Sequence, residues 1–287
     1  MKQQKTQQIL KKQFKENKII KKNRPFCLNI IGINPSKMIS FFKGITFYIR
    51  DLRKFKIQKG ENNDFVFGTF DPILDERFSE AGQMSGHYFH QDLLIASRIY
   101  INKPKRHVDI GSRIDGFISH VAVFRKIELF DIRPQESKIK NIIFKQADLM
   151  NLSKELINSC DSVSSLHAIE HFGLGRYNDP IDYYGHIKGI DNIYKILKDG
   201  GKFYFSVPIG TQRIEFNGMR VFNIGYLLKL FENKFIVDFF NYLDDKVELF
   251  ENVKLNKEHI ESNYGCNYGC GIFEMTKQKG GLNYPNL

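Results

Sequence analysis

With 287 residues, 42% of them hydrophobic and 14% aromatic, the chain has the length and composition of a globular protein with a sizeable core, as one large domain or two small ones. Its net charge of +11 is uneven: residues 1–60 carry 16 Lys/Arg against 2 Asp/Glu, and residues 61–287 carry 27 against 30. The basicity belongs to an N-terminal arm, which argues against an enzyme that works on nucleic acid through a basic face around its site, and no apolar run approaches the roughly 20 residues of a spanning helix.

The chain opens as a Lys/Gln-rich stretch over residues 1–24. Because MKQQKTQQILKKQ lacks the apolar core and cleavage site of a secretory signal, the expected location is cytoplasmic. In PSKMISFFKGITFYIRDLRKFKIQ, Met38, Phe41, Phe42, Ile45, Tyr48, Ile49, Leu52 and Phe55 recur at three- and four-residue steps. That spacing predicts an amphipathic helix with Ser36 as its cap. Lys37, Lys43, Arg50, Arg53, Lys54 and Lys56 occupy the other face. Such a helix either packs with its basic face in water, or lies through residues 36–57 on an anionic membrane at its inner surface.

Residues 61–106 form a turn-rich lead-in (KGENND, FDPILDERFSEAG) followed by a helix in GHYFHQDLLIASRIYINK. From residue 107 to 278 strands and helices alternate. HVDI, IELFDI, NIIFKQADL, SVSSLHAI and KFYFSVPIG read as strands. Helices are expected in GFISHVAVFRK, in YYGHIKGIDNIYKILKDG closed by Gly200–Gly201, and in NIGYLLKLFENK. FIVDFFNYL and CGIFEMTKQ suit a terminal antiparallel pair, and 279–287 is a tail. The predicted architecture is α/β: a doubly wound, mostly parallel, seven-stranded Rossmann-like sheet preceded by a basic helical extension. The cysteines are few (Cys27, Cys160, Cys266, Cys270), and the C-x3-C of YGCNYGCGIF has no second ligand pair, so it reads as structural.

Three consecutive predicted strand ends carry an aspartate: Asp109 in HVDIGS, Asp131 in ELFDIRP and Asp148 in QADLMNL. Ligands of open α/β sheets sit at such ends. Asp131 lies 22 residues after Asp109, about one βαβ unit on, where an acidic side chain can accept both hydroxyls of a ribose. Asp148, with Leu149 beside it, falls where a purine amine could donate. Gly111 lets backbone approach a ligand closely. The loop spacing is D-x-G-x4-G, ending at Gly116, instead of the G-x-G-x-x-G of a dinucleotide site, and no phosphate-binding lysine follows. The pattern suits a nucleoside with a charged, non-phosphate tail.

In this order, HVDIGSRIDGF, IELFDIRP, QADLMNL, DSVSSLHAIEHFGLGRY and LKDGGKFYFSVPIG resemble the successive motifs of class I S-adenosylmethionine-dependent methyltransferases over residues 107–210. More narrowly, GHYFHQD, DIGSRIDGF, EHFGLGRYNDPID and SVPIG…RIEFN…RVF resemble domain-of-unknown-function family 268, a methyltransferase-like family associated with bacterial surface-polysaccharide genes. The resemblance implies S-adenosyl-L-methionine as cofactor, bound by Asp109, Gly111, Arg113, Gly116, Asp131, Asp148 and Leu149. It also implies methyl transfer to a small-molecule or glycan acceptor, by O-methylation of a saccharide or surface-glycan precursor. Arg113 and Asp115 stand where the superfamily has its second and third loop glycines; Arg113 either neutralises the methionine carboxylate or crowds the pocket. The alternative expectation is therefore a degenerate methyltransferase fold that serves as a binding or scaffold module.

Methyl transfer to a hydroxyl needs alignment and often a base. SLHAIEHFGLGRYNDPIDYYGH offers His171 as first choice of base, with His167 and Glu170 as alternatives, and Asp179, Asp182 and His186 nearby. Glu170, His171 and Asp182 could also hold a divalent ion, but nothing in their spacing fixes a geometry, so no metal is assigned. Arg213, Glu215, Asn217 and Arg220 follow the fifth strand and suit a sugar or an anion, or an ordinary salt-bridged loop. His87, Tyr88 and Gln91 of GHYFHQD either touch the donor pocket or simply pack.

Overall fold

The computed structural model describes residues 35–74 and 86–280. The chain divides into two compact units, Met1–Gln83 and Met84–Leu287. The expectations for residues 1–24 and Cys27, and for all but the first two residues of the 279–287 tail, lie outside the described residues.

In the first unit, α1 spans Pro35–Lys59. Proline at a helix start has no amide to lose and a preset φ, which favours this beginning. Ser36 is the second residue of this helix, and the capping expected of its side chain lies outside what is described. The apolar stripe is only partly covered: Ile45, Tyr48 and Leu52 are half-buried, whereas Phe41, Phe42, Ile49 and Phe55 are exposed. The cover comes from the segment after the helix. Phe67 meets the Phe55 ring edge-on at 6.0 Å, and a Cβ at Gly44 would overlap the Leu74 carbonyl.

The second unit begins with α2 (His87–Asn102) and then β1 (His107–Ile110), β2 (Ile127–Asp131), β3 (Ile142–Gln146), β4 (Cys160–Leu166) and β5 (Leu197–Ile209). The short α3 (Ser119–Ala122) lies between β1 and β2, and α4 (Gly185–Ile196) precedes β5. A two-stranded ribbon of β6 (Arg213–Glu215) and β7 (Met219–Val221) follows, then α5 (Ile224–Phe231) and β8 (Phe235–Leu243). The two-residue β9 (Leu249–Phe250), α6 (Lys257–Glu261) and β10 (Gly269–Lys277) complete it.

The main sheet runs β3-β2-β1-β4-β5-β10-β8-β9. Strands β1 to β5 pair parallel, while β10 inserts antiparallel between β5 and β8. This is the expected doubly wound sheet, its seven predicted strands extended by β9. The chain leaves β1 in one direction towards β2 and returns on the other side as β4, so the switch in strand order falls between β1 and β4.

Side-chain alternation sorts the strands between two cores. Phe203, Phe205 and Val207 of β5 join Ile190 and Ile193 of α4 and Phe231 of α5 on one face. Tyr204 turns the other way, towards Ile95 and Ile99 of α2 and Phe117. The central β1 is buried throughout, the usual condition of a parallel strand covered on both faces. Across this second layer Arg98 of α2 reaches Glu274 of β10 at 2.5 Å, with Asn102 at 3.0 Å from the same carboxylate. A nearly fully buried carboxylate needs such partners.

Two elements are shorter than their sequence pattern. The helix expected over 116–126 becomes a π-turn at Ile114–Ile118 and the single-turn α3, broken at Gly116 (φ −125°, ψ −108°). The helix expected to end at Gly200–Gly201 stops at Ile196, because Leu197 already pairs with Cys160. The two glycines sit in the bulge that separates this pair from Ser162↔Lys202.

Candidate functional site

The cavity at the carboxyl ends of β1, β2 and β4 is lined by Gly111, Asp131, Asp148, Leu149, His171 and Phe172, among others. Gly111 has φ +70°, and a Cβ there would lie 3.0 Å from the Ala168 Cβ, so only glycine fits without strain. Its N–H donates to the Phe130 carbonyl at 2.9 Å, holding the loop flat across the top of β2. Asp131, the last residue of β2, pairs with Arg133 through both oxygens (2.7 and 3.0 Å) and accepts the Arg133 N–H at 2.8 Å. The Arg133 guanidinium in turn lies 4.4 Å over the Tyr177 ring. Asp148 accepts the Met150 N–H at 2.9 Å, which turns the chain after β3, and the buried Leu149 is fixed by Asn192 bonding its carbonyl.

The remaining glycine-loop residues stand elsewhere. Asp109 is fully buried and does not line the cavity. It accepts the Ser112 N–H (2.9 Å), the Ser112 hydroxyl (2.7 Å) and the Ser164 hydroxyl (2.5 Å), tying the β1 loop to β4. Burial pushes its carboxyl up to about 7, against the pull of the Ser164 and Ser112 hydrogen bonds. Because the folded pKa exceeds the unfolded one, this group stabilises the fold most at acid pH, and that contribution is lost as pH rises from about 4 to about 7. Asp109→Asn keeps the side chain uncharged, so its deficit against wild type in urea unfolding is expected to shrink by on the order of 2 kcal/mol between pH 4.5 and pH 8. A constant deficit would contradict the assignment.

Gly116 serves packing: a Cβ there would overlap the Asp92 carboxylate of α2. Arg113 and Asp115 pair with each other at 2.6 Å on the surface, with Arg113 lying 4.9 Å from the centre of the Tyr88 ring. They edge a more open groove that adjoins the first cavity at Asp131 and Arg133.

A second cavity meets the first at His171 and Tyr177; His87, Tyr88, His167, Glu170 and Tyr268 also line it. His171 Nδ1 lies 2.7 Å from the Gly218 carbonyl, which only accepts, so the neutral ring carries its proton on Nδ1 and keeps the Nε2 lone pair. Burial lowers the His171 pKa, against the neighbouring Glu170. His167, at φ +49° just after β4, bonds Glu170 through Nδ1 at 2.8 Å. Burial pushes His167 towards neutrality, but Cys270 and Glu170 outweigh it and raise its pKa. Burial lowers His87 to about 4 and raises the Tyr88 phenol to about 12, leaving both neutral at physiological pH.

The other candidates shape the walls. Asp179 accepts the N–H groups of Gly173, Gly175 and Tyr177, folding the loop that carries Tyr177. Arg220, nearly fully buried, donates to the carbonyls of Phe172 (2.6 Å) and Tyr183 (3.1 Å) and so closes the same loop from behind. Asp182 is taken by Lys188 and by the Tyr184 N–H, which draws it away from a metal role beside Glu170. His186 bonds the Tyr226 hydroxyl at 2.7 Å, and Arg213 pairs with Glu215 at 2.9 Å on the exposed ribbon. Gln91 is buried, bonding Ser206 at 2.6 Å. Cys270, read from sequence as structural, is buried on β10 in a cluster with His87 and His167. Its spacing from Cys266 gave no sign of this, because the partners come from α2 and β4.

A family model described as "Caenorhabditis protein of unknown function, DUF268" matches residues 119–265, just over half of the chain. No curated protein matches by sequence. Among solved structures, the chain is similar to the N-methyltransferase NodS of Bradyrhizobium japonicum WM9 in complex with S-adenosyl-L-homocysteine (12% identity, TM-score 0.44, covering 67% of this chain and 89% of that one). It is similar also to the 1,6-didemethyltoxoflavin-N1-methyltransferase of Burkholderia thailandensis (12%, TM-score 0.47, 82% and 90%). A third is a phosphoethanolamine N-methyltransferase of Haemonchus contortus (16%, TM-score 0.47, 69% and 55%).

Proposed function

The chain belongs to the DUF268 family, and from that premise we propose that it is an S-adenosylmethionine-dependent methyltransferase acting on an oxygen of a saccharide or surface-glycan precursor. The observation that carries the reading is the first cavity: a left-handed glycine after β1, next to the switch in strand order, with the carboxylates of Asp131 at the end of β2 and Asp148 just past β3. In this reading Asp131 takes the ribose hydroxyls, Asp148 the exocyclic amine of the base, and Leu149 its apolar face, all three lining that cavity. Gly111, where a Cβ would meet Ala168, leaves room for the tail of the nucleoside. Bound there, S-adenosylmethionine supplies an electrophilic methyl group on a sulfonium.

The chain's own contribution to chemistry is a base and a shaped acceptor cavity. His171 lies where the two cavities meet, neutral, with its Nε2 lone pair available to take a proton from an acceptor hydroxyl. Tyr88, Tyr177 and Tyr268 offer flat apolar rings with polar tips, and Arg176 a fixed charge, a combination that suits a saccharide. Incubating the protein with methyl-labelled donor and a panel of oligosaccharides, lipid-linked glycans, peptides and RNA tests the acceptor class. Label on a saccharide oxygen supports the reading; label only on peptide or RNA overturns it.

The basic helix gives a second part of the proposal: residues 36–57 hold the protein against an anionic membrane, near a lipid-linked acceptor. No described helix is long and apolar enough to cross a membrane. The exposed Phe41, Phe42, Ile49 and Phe55, on a helix rich in Lys and Arg, suit shallow insertion instead. In flotation with anionic vesicles the full chain is expected to float, and a chain lacking residues 1–60 to stay in the dense fraction. Equal flotation of the two contradicts this role.

A further inference from the structure

We propose that His87, His167 and Cys270 form a transition-metal site of the zinc type in the wall of the acceptor cavity. One ligand atom from each lies within 4.8 Å of the other two. They arrive from three separate places: the first residue of α2, the turn after β4, and the second residue of β10. The His87 ring stacks on that of His167 at 5.2 Å, and the Cys270 thiol lies beside the pair.

His167 supplies an independent sign of a missing ligand. Its Nδ1 is engaged by the Glu170 carboxylate at 2.8 Å, so once the ring is deprotonated, as a ligand must be, the remaining proton sits on Nδ1 and Nε2 is the electron-pair donor. That Nε2 is buried, makes no hydrogen bond of ordinary geometry, and has the Cys270 thiol as its neighbour. An orphaned buried acceptor costs about 1–3 kcal/mol unless something fills it. A carboxylate holding the far nitrogen of an imidazole is the arrangement that stands behind ligating histidines in metal sites. Glu170 tells the same story: it is 1% exposed, and its Oε2 also lacks a partner.

The donor set narrows the ion. Two imidazoles and a thiolate with a fourth position left open suit zinc among the N/S-binding metals, the same set being one that copper also takes, and the soft sulfur disfavours magnesium or calcium. In a tetrahedral site the donor atoms stand roughly 3.4–3.7 Å apart. Closing this cluster on an ion therefore takes a shift of up to about 1.4 Å between donor atoms, and His87 is on the opening turn of a helix that follows Gly86 at φ +96°. His87 and His167 line the same cavity as His171, so the open position faces the space given above to the acceptor. An oxygen of the acceptor bound there would be polarised and brought to the base. That role rests on the methyltransferase reading; the binding of the ion does not.

The test uses the full-length, tag-free chain stripped with a chelator and titrated with Zn²⁺ against a chromophoric chelator, and separately with Co²⁺. We expect one ion per chain with submicromolar affinity, and a thiolate-to-cobalt charge-transfer band. Cys270→Ser should abolish that band and weaken Zn²⁺ about a hundredfold, and His87→Ala should weaken it at least tenfold. Cys266→Ser should leave both unchanged. Should Cys270→Ser fail to fold, His87→Ala carries the test, since His87 is at a helix start and its loss leaves the sheet intact. Absence of saturable uptake overturns the proposal. So does uptake that is the same in wild type and His87→Ala, which would place the ion elsewhere. Binding of S-adenosylhomocysteine to the stripped protein, measured on the same sample, separates failure of this site from failure of the donor site.

Discussion

Asp131→Ala is expected to weaken S-adenosylhomocysteine binding about a hundredfold, or about 2.7 kcal/mol. Hydrogen bonds to a charged acceptor contribute about 1.5–3 kcal/mol each, and a ribose offers two donors to this one carboxylate. The competing partner is Arg133, whose side chain is half exposed in its pairing with Asp131. An ion pair so exposed is worth about 0–1 kcal/mol, so the donor can displace it at little cost, and Arg133 retains its place over Tyr177. Arg133→Ala should therefore change affinity only a few-fold. Calorimetric titration of the three proteins checks this: an unchanged Kd for Asp131→Ala would remove Asp131 from the donor site.

His171→Gln is expected to lower turnover on the acceptor found in the labelling screen by about 10²–10³, the usual worth of a general base, while leaving the Kd for S-adenosylhomocysteine within a few-fold. The separation follows from position. His171 lines both cavities, whereas Asp131 and Arg133 line the donor cavity and not the acceptor cavity. Since burial lowers the His171 pKa, the acid limb of kcat/KM should fall below the ordinary imidazole value of about 6.5. A variant that loses donor binding and keeps turnover at saturating donor would reverse the two roles.

Asp131, Asp148 and Gly111 were legible because strand ends and βαβ spacing place them in one dimension; the carboxyl ends of parallel strands form the ligand edge of such a sheet. Asp109 occupies the same kind of position, yet its side chain turns inward to Ser112 and Ser164. Sequence gives no sign of that choice, because it depends on hydroxyls that arrive from β4. The late start of α3 and the early end of α4 have similar causes. Asp92 packs against the bare Gly116, where the helix is broken, and Leu197 is claimed by Cys160 before the helix pattern runs out. On α1 the apolar periodicity was plain, but coverage by residues 67–74 reaches only part of the stripe. The His87–His167–Cys270 cluster joins residues 80 and more positions apart and breaks no local pattern.

The donor site is the claim on which the functional reading stands, and titration calorimetry of the full-length protein with S-adenosylhomocysteine, with NAD as control, addresses it most directly. One site per chain with micromolar affinity, and no heat with NAD, is the predicted result. No binding of S-adenosylhomocysteine, or equal binding of NAD, would contradict it and leave the fold as a scaffold without a methyl donor.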